Sequence, residues 1–125
     1  VPVNHPGNYR TMRMFHRFGG ALPIWPFDPL SSSGSIVVEI YTSLAARAAC
    51  IPKGRSKIRD PESLDRALAA LCCNRHEPLE HYSDHATDAI LTAAWLRNVA
   101  LSDQLWIPAG LENAAATEGW TFGIA

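Results

Sequence analysis

Three carboxylates stand where a carboxylate is costly. Glu39 lies inside the apolar run Ser35-Ile36-Val37-Val38-Glu39-Ile40-Tyr41, and Asp84 and Asp88 open the stretch Ser83-Asp84-His85-Ala86-Thr87-Asp88-Ala89. Residues four apart share one face of a helix, so the two aspartates face the same way. Paired acids repel, and when partly buried they must be protonated or neutralised by a cation. Hard divalent cations prefer oxygen ligands, often a few carboxylates completed by waters and substrate phosphates. Two such ions can activate a water and stabilise the leaving oxygen of a phosphodiester. Glu39, Asp84 and Asp88 are therefore candidate metal-ligating and catalytic residues, with Mg²⁺ or Mn²⁺ as the ion. A plainer reading stands beside this one. First-turn acids complement the helix dipole, and a glutamate on an edge strand meets water or a salt bridge.

A second group carries the opposite charge. Lys53-Gly54-Arg55-Ser56-Lys57-Ile58-Arg59 holds four cations in seven residues. It reads as a loop, and Arg55, Lys57 and Arg59 are candidate phosphate contacts; a solvated basic loop has the same composition. His76, His81 and His85 flank the acidic stretch; His81 and His85 are four apart, but His81 precedes the expected Ser83 cap and Tyr82 stands where the metalloprotease zinc motif has glutamate, so the spacing does not make a helical zinc site. Cys50, Cys72 and Cys73 are odd in number and lack Cys-x-x-Cys spacing, which fits a reducing cytoplasm and predicts small buried hydrophobes.

The elements that must position these groups follow from pattern. Asn8 to Phe18 reads as a short helix ended by Gly19-Gly20, with Arg10, Arg13 and Arg17 on one face. Prolines at 23, 26 and 29 exclude a helix or central strand over 21–30, so Leu22, Ile24, Trp25 and Phe27 should anchor an extended segment. Ser35 to Tyr41 is the strongest strand signal and reads as an interior strand covered on both faces. Ser43 is the expected cap of a helix over 44–50. Asp60-Pro61-Glu62 opens another, with Leu64, Ala67, Leu68, Leu71 and Cys72 as its apolar stripe and Asn74 as its stop. Ser83 or Asp84 caps a helix whose apolar residues cover nearly every direction, the pattern of a buried helix. Short extended pieces are expected at 104–108 and 119–124, and a weak helical turn at 111–117.

With 125 residues, 47% hydrophobic and 18% charged, the chain has the size and composition of one globular domain. A net charge of -1 predicts no global attraction to nucleic acid, so any such contact must come from the local basic loop. No apolar run approaches the roughly 18–20 residues that span a bilayer, so no membrane partner is expected. Val1-Pro2-Val3-Asn4-His5 does not read as a secretory signal.

Several motifs in order resemble one family. VVEIYTSLAARAA at 37–49 is similar to the "vEvYPaaa" strand-to-helix signature of the predicted RNase H-like nucleases. The basic segment around Lys57, SDHATDAILTAAWL at 83–96 and EGWTFGI at 118–124 follow in the family's order, and LPIWPFD at 22–28 extends the match. The resemblance implies an α/β class: a partial RNase H-like fold, a mixed sheet flanked by helices, without the N-terminal strands. Glu39 would be the fourth-strand acid, and Asp84 and Asp88 the acids of the late helix. Asp88, in Thr-Asp-Ala, is nearest the family pattern, whereas Thr42 replaces a usual proline. Nothing before Ser35 resembles the family's first strands, and Asp28 is the only early acid. Residues 1–125 are thus expected to be a single domain or the C-terminal portion of one. The implied function is divalent-metal-dependent phosphodiester hydrolysis, with nucleic acid or a small phosphorylated molecule as substrate. The alternative is a non-catalytic scaffold, or a nucleic-acid- or protein-binding module, that pairs an exposed sheet edge with another copy.

Overall fold

The fold is described from a computed structural model that defines residues 23–30, 34–52, 54, 57–111 and 120–124. The helix expected at 8–18 with its three arginines, Arg55, and the helical turn expected beyond Leu111 lie outside the described residues. Two compact units are present: Tyr41–Asp103 forms one, and Val1–Ile40 with Gln104–Ala125 forms the other.

Three helices build the unit Tyr41–Asp103. Helix α1 spans Thr42–Ala48, α2 Pro61–Ala70 and α3 Asp84–Val99. The start of α2 follows its sequence closely. Asp60 is extended and accepts the Ser63 N–H at 2.8 Å, Pro61 occupies the first turn where its missing donor costs nothing, and Glu62 follows. Helix α3 is capped by Ser83, whose Oγ accepts the Ala86 N–H at 3.2 Å. By contrast α1 begins one residue before the expected cap, with Tyr41 at the N-cap and no side-chain cap bond.

The two C-termini share a device that the sequence pattern did not reveal. After α1, Cys50 N–H bonds Arg47 O and Ile51 N–H bonds Ala46 O; after α2, Cys72 N–H bonds Ala69 O and Cys73 N–H bonds Leu68 O. This is the Schellman arrangement, and Cys50 (φ 59°) and Cys72 (φ 57°) take the left-handed position that glycine usually fills. Helix α2 therefore stops before Asn74. A residue at that position turns out of the helix line, so Cys50 and Cys72 are exposed and Cys73 half-buried, against the expectation of three buried thiols.

The core of this unit is mostly alanine and leucine with one tryptophan: Ala45 of α1 and its C-cap Ala49, Leu64, Ala67 and Leu68 of α2 and its C-cap Leu71, and Leu91, Ala94 and Trp95 of α3. Helix α3 packs more extensively on α1 than on α2. It buries one face rather than its whole circumference: Ala89 and Ala93 are exposed and Ile90 is half-buried. Alanine covers little apolar area, so an alanine-rich helix tolerates water on a side that looks apolar by residue type.

The other unit holds Ile24, Trp25 and Phe122 at its centre. Helix α4, Asp103–Trp106, replaces the extended piece expected at 104–108 and brings in Trp106. Trp25 meets Trp106 edge-on at 5.9 Å and Phe122 edge-on at 5.6 Å, and its Nε1–H donates to Trp106 O at 3.2 Å. Phe27, expected to anchor the segment, is exposed.

The expected mixed sheet is absent among the described residues, which corrects the α/β reading to a helical one. The single strand pairing there is an isolated parallel bridge between Ile24 and Val37, made by Trp25 N–H to Val37 O and Val37 N–H to Pro23 O, both 2.9 Å. Its growth is blocked on one side by chemistry. Pro23 and Pro26 flank the bridge and offer no amide donors. The segment also closes on itself, because Asp28 accepts the Ile24 N–H at 2.8 Å and donates its own N–H to Ile24 O at 2.9 Å. Residues 36–40 are half-buried without a ladder. An alternating apolar run demands cover on its faces, and side chains can supply that cover without neighbouring strands. The sheet edge expected to pair copies of the chain disappears with the sheet.

Candidate functional site

Four of the predicted residues come together at the start of α3. Lys57 Nζ lies 3.5 Å from Asp88 Oδ2, and Arg59 Nη1 is ion-paired with Asp84 Oδ1. The acids stand one helical turn apart, and the cations are separated by a single residue in the segment that leads into α2. Spacing on the two segments therefore matches, each cation facing one acid. The carboxylates are neither buried nor free in water, with side chains 38% and 31% exposed for Asp84 and Asp88. Pairs this open contribute about 0–1 kcal/mol each to stability.

Asp84 Oδ1 has a further property. It is shielded from solvent yet accepts no aligned hydrogen bond, so its contact with Arg59 is one of charge. The cap network leaves this oxygen alone. Ser83 Oγ takes the Ala86 N–H, while Thr87 Oγ1 donates to the backbone oxygens of Ser83 (3.1 Å) and Asp84 (3.3 Å). Carboxylate oxygens held by exposed cations can exchange those cations for a metal ion, and Mg²⁺ commonly binds through one or two carboxylates with waters and phosphates completing the shell. The pair Asp84 and Asp88 fits such an ion in donor type and number. Among the described residues no group of three or more His, Cys, Asp or Glu side chains is arranged to hold a metal.

Glu39 belongs to the other compact unit. It is half-buried, and its backbone oxygen accepts the Phe122 N–H at 2.8 Å. Lys57 also lines an open groove of about 630 Å³ between the end of α1 and α2, together with Arg66, Asp60 and Ser63. Arg66 is a cation on this groove that lies outside both the apolar stripe of α2 and the basic segment at 53–59.

Beyond the predicted set, His76 is nearly buried, its side chain 6% exposed, between Asp65 of α2 and Tyr82. By sequence His76 offers itself only as a zinc ligand; its partners are eleven residues before it and six after, at no motif spacing. The hydrogen bond from the His76 ring, aided by that from its backbone N–H, holds the Asp65 carboxyl below its ordinary value of 3.8. The Ser63 backbone N–H does the same for Asp60. A lowered folded pKa adds stability that is complete above the unfolded value and disappears as pH falls through the folded one. The unit Tyr41–Asp103 should therefore hold a steady urea midpoint from pH 5 to 7 as far as these two groups are concerned, and lose stability below about pH 4. In Asp65→Asn the acid loss should be smaller than in the unsubstituted chain.

Among the described residues no helix is long and apolar enough to cross a membrane. A scan against models of protein families, a search of curated proteins and a search of solved structures each return no match.

Proposed function

We propose that the start of α3 is half of a divalent-metal-dependent phosphodiesterase centre, with Asp84 and Asp88 as ligands of Mg²⁺ or Mn²⁺ and Lys57 and Arg59 as phosphate contacts. The observation that carries the reading is the pairing of Lys57 with Asp88 and of Arg59 with Asp84. Two groups singled out independently, one as metal-ligating and one as phosphate-binding, lie within charge contact. The ordered motifs that resemble the predicted RNase H-like nucleases support the same chemistry. Three unpaired thiols suit a reducing compartment, the cytoplasm.

The residues act by exchanging partners. In the resting state each cation holds an acid in place and limits repulsion between the two. When a phosphodiester enters, Lys57 and Arg59 would turn from carboxylate to phosphate oxygens, where cations bind well, and Asp84 and Asp88 would then be the residues free to hold Mg²⁺ or Mn²⁺. A bound divalent ion supplies the activated water and stabilises the leaving oxygen. Lys57 and Arg66 on the adjoining groove offer a path for a longer phosphate chain, which makes nucleic acid the favoured substrate class.

The cations compete with the metal for the same oxygens, and this yields a test. Replacing Lys57 and Arg59 with methionine should raise Mn²⁺ affinity by roughly threefold to tenfold, within the total of about 0–2 kcal/mol that two exposed pairs contribute together, while raising KM for a phosphodiester. Calorimetric titration and steady-state kinetics read the two effects. A fall in Mn²⁺ affinity would remove the partner-exchange scheme.

One observation favours a second reading, a non-catalytic module. Each acid already has its own cation, and such pairs also occur as plain surface structure. On that reading the methionine variants leave Mn²⁺ binding at the level of a nonspecific surface.

A further inference from the structure

The connection between α2 and α3 has no helix or strand of its own, and yet it carries a hydrogen-bond relay of side chains. Asp65 Oδ1 accepts two bonds from His76, one from its backbone N–H at 3.1 Å and one from Nδ1–H at 2.7 Å. A carboxylate only accepts, so the Nδ1 proton faces Asp65. In the neutral ring, Nε2 then accepts the Tyr82 O–H at 2.7 Å. The Tyr82 oxygen in turn takes the Leu79 N–H at 3.5 Å. The imidazole and phenol rings stand edge to face at 5.5 Å. Every donor in this chain has an acceptor, and its two ends are α2 and the residue just before the Ser83 cap.

Helix α3 has few direct contacts with α2, so these polar ties matter. Asn98 Nδ2–H donates to Leu71 O at 2.7 Å, near the other end of α3. The two helices are thus tied at both ends of α3, by Asn98 at one and by the relay at the other. The tie at the start is the one next to the acids. Tyr82 precedes Asp84 by two residues, and Ser83 between them accepts both cap bonds of the first turn, from the Ala86 N–H and the Thr87 hydroxyl.

We propose that Asp65, His76 and Tyr82 form a positioning latch for the carboxylate pair, with His76 as the residue that locks Tyr82, and hence the first turn of α3, onto α2. This rests on the reading of Asp84 and Asp88 as metal ligands. The latch acts through the backbone of residues 82–84 and touches neither metal nor substrate. It keeps Asp84 opposite Arg59 and Asp88 opposite Lys57 in the resting state, so the oxygens are already placed when an ion replaces the cations.

Two readouts separate the latch from the site it serves. The first is amide hydrogen exchange at Ala86 and Thr87, whose N–H groups bond Ser83. Tyr82→Phe keeps the ring and removes only the hydroxyl, and exchange at these two amides should quicken about tenfold while Leu68 and Leu71 in and beside α2 keep their rates. His76→Ala should do the same, and added imidazole should restore slow exchange by filling the space between Asp65 and Tyr82, which a general loss of stability would not allow. The second readout is Mn²⁺ titration, in which both variants should bind three- to tenfold more weakly. Unchanged exchange at Ala86 and Thr87 in both variants, or no rescue by imidazole, overturns the latch. Faster, rescuable exchange with unaltered Mn²⁺ affinity overturns its positioning role. An unsubstituted chain that binds no Mn²⁺ at Asp84 and Asp88 overturns the metal reading instead, and the exchange arm then still decides whether the latch exists.

Discussion

Phe122→Ala lowers the stability of the unit that contains it by about 3–5 kcal/mol, the usual cost of emptying a buried aromatic site. Phe122 is fully buried, meets Trp25 edge-on at 5.6 Å and Trp106 at 4.5 Å, and donates its N–H to Glu39 O. Three aromatic rings in mutual contact supply most of the large apolar surface at this centre, and each favourable ring pair adds about 0.5–1.5 kcal/mol beyond burial. A small domain has only about 5–15 kcal/mol in total, so the substitution brings this unit to the edge of unfolding. Phe122→Leu keeps most of the volume and should cost about 1–2 kcal/mol. Urea titration followed by tryptophan fluorescence reads the effect, since Trp25 and Trp106 are the rings beside the gap. A midpoint shift for Phe122→Ala no larger than that for Phe122→Leu would show that these rings are not the centre of the unit.

The second large effect is on activity and not on stability. Replacing Asp84 and Asp88 together with asparagine should abolish metal-dependent phosphodiester hydrolysis, by at least a hundredfold, while the fold survives. Asparagine has the shape of aspartate, and Ser83 still caps the helix. What folding loses is small: about 0.3–1 kcal/mol for a first-turn charge against the helix dipole and about 0–1 kcal/mol for each exposed ion pair. A metal ligand has no such margin, because a neutral amide lacks the charge that holds a divalent ion. The diagnostic result is the contrast, with the urea midpoint nearly unmoved and hydrolysis gone. Hydrolysis that persists in the double variant would place the chemistry elsewhere.

Helix starts were the most legible part of the fold. Asp60-Pro61-Glu62 and Ser83-Asp84 carry their own hydrogen-bond acceptors and charges, so a local rule suffices, and both caps form. Helix ends were less legible, because Cys50 and Cys72 occupy left-handed positions that residue type alone assigns to glycine. The strand signal of Ser35–Tyr41 misled for a different reason. Alternation reports that both faces want cover, but whether a ladder forms depends on a partner, and the partner here is interrupted by Pro23 and Pro26. In the candidate site, the acid pair and the basic segment were each visible from spacing. Their contact was not, since nothing local relates residues 57–59 to 84–88. The His76 relay was least legible, being built on separations of eleven and six residues with no periodic meaning.

The most direct test uses Mn²⁺ as a paramagnetic probe on the isotopically labelled, unsubstituted chain. If Asp84 and Asp88 ligate the ion, amide signals of residues 83–89 broaden first and at substoichiometric Mn²⁺, the signals of Lys57 and Arg59 follow, and excess Mg²⁺ restores them. Broadening spread evenly over exposed acids such as Glu62, Glu77 and Glu80, with no preference for the start of α3, would contradict the account.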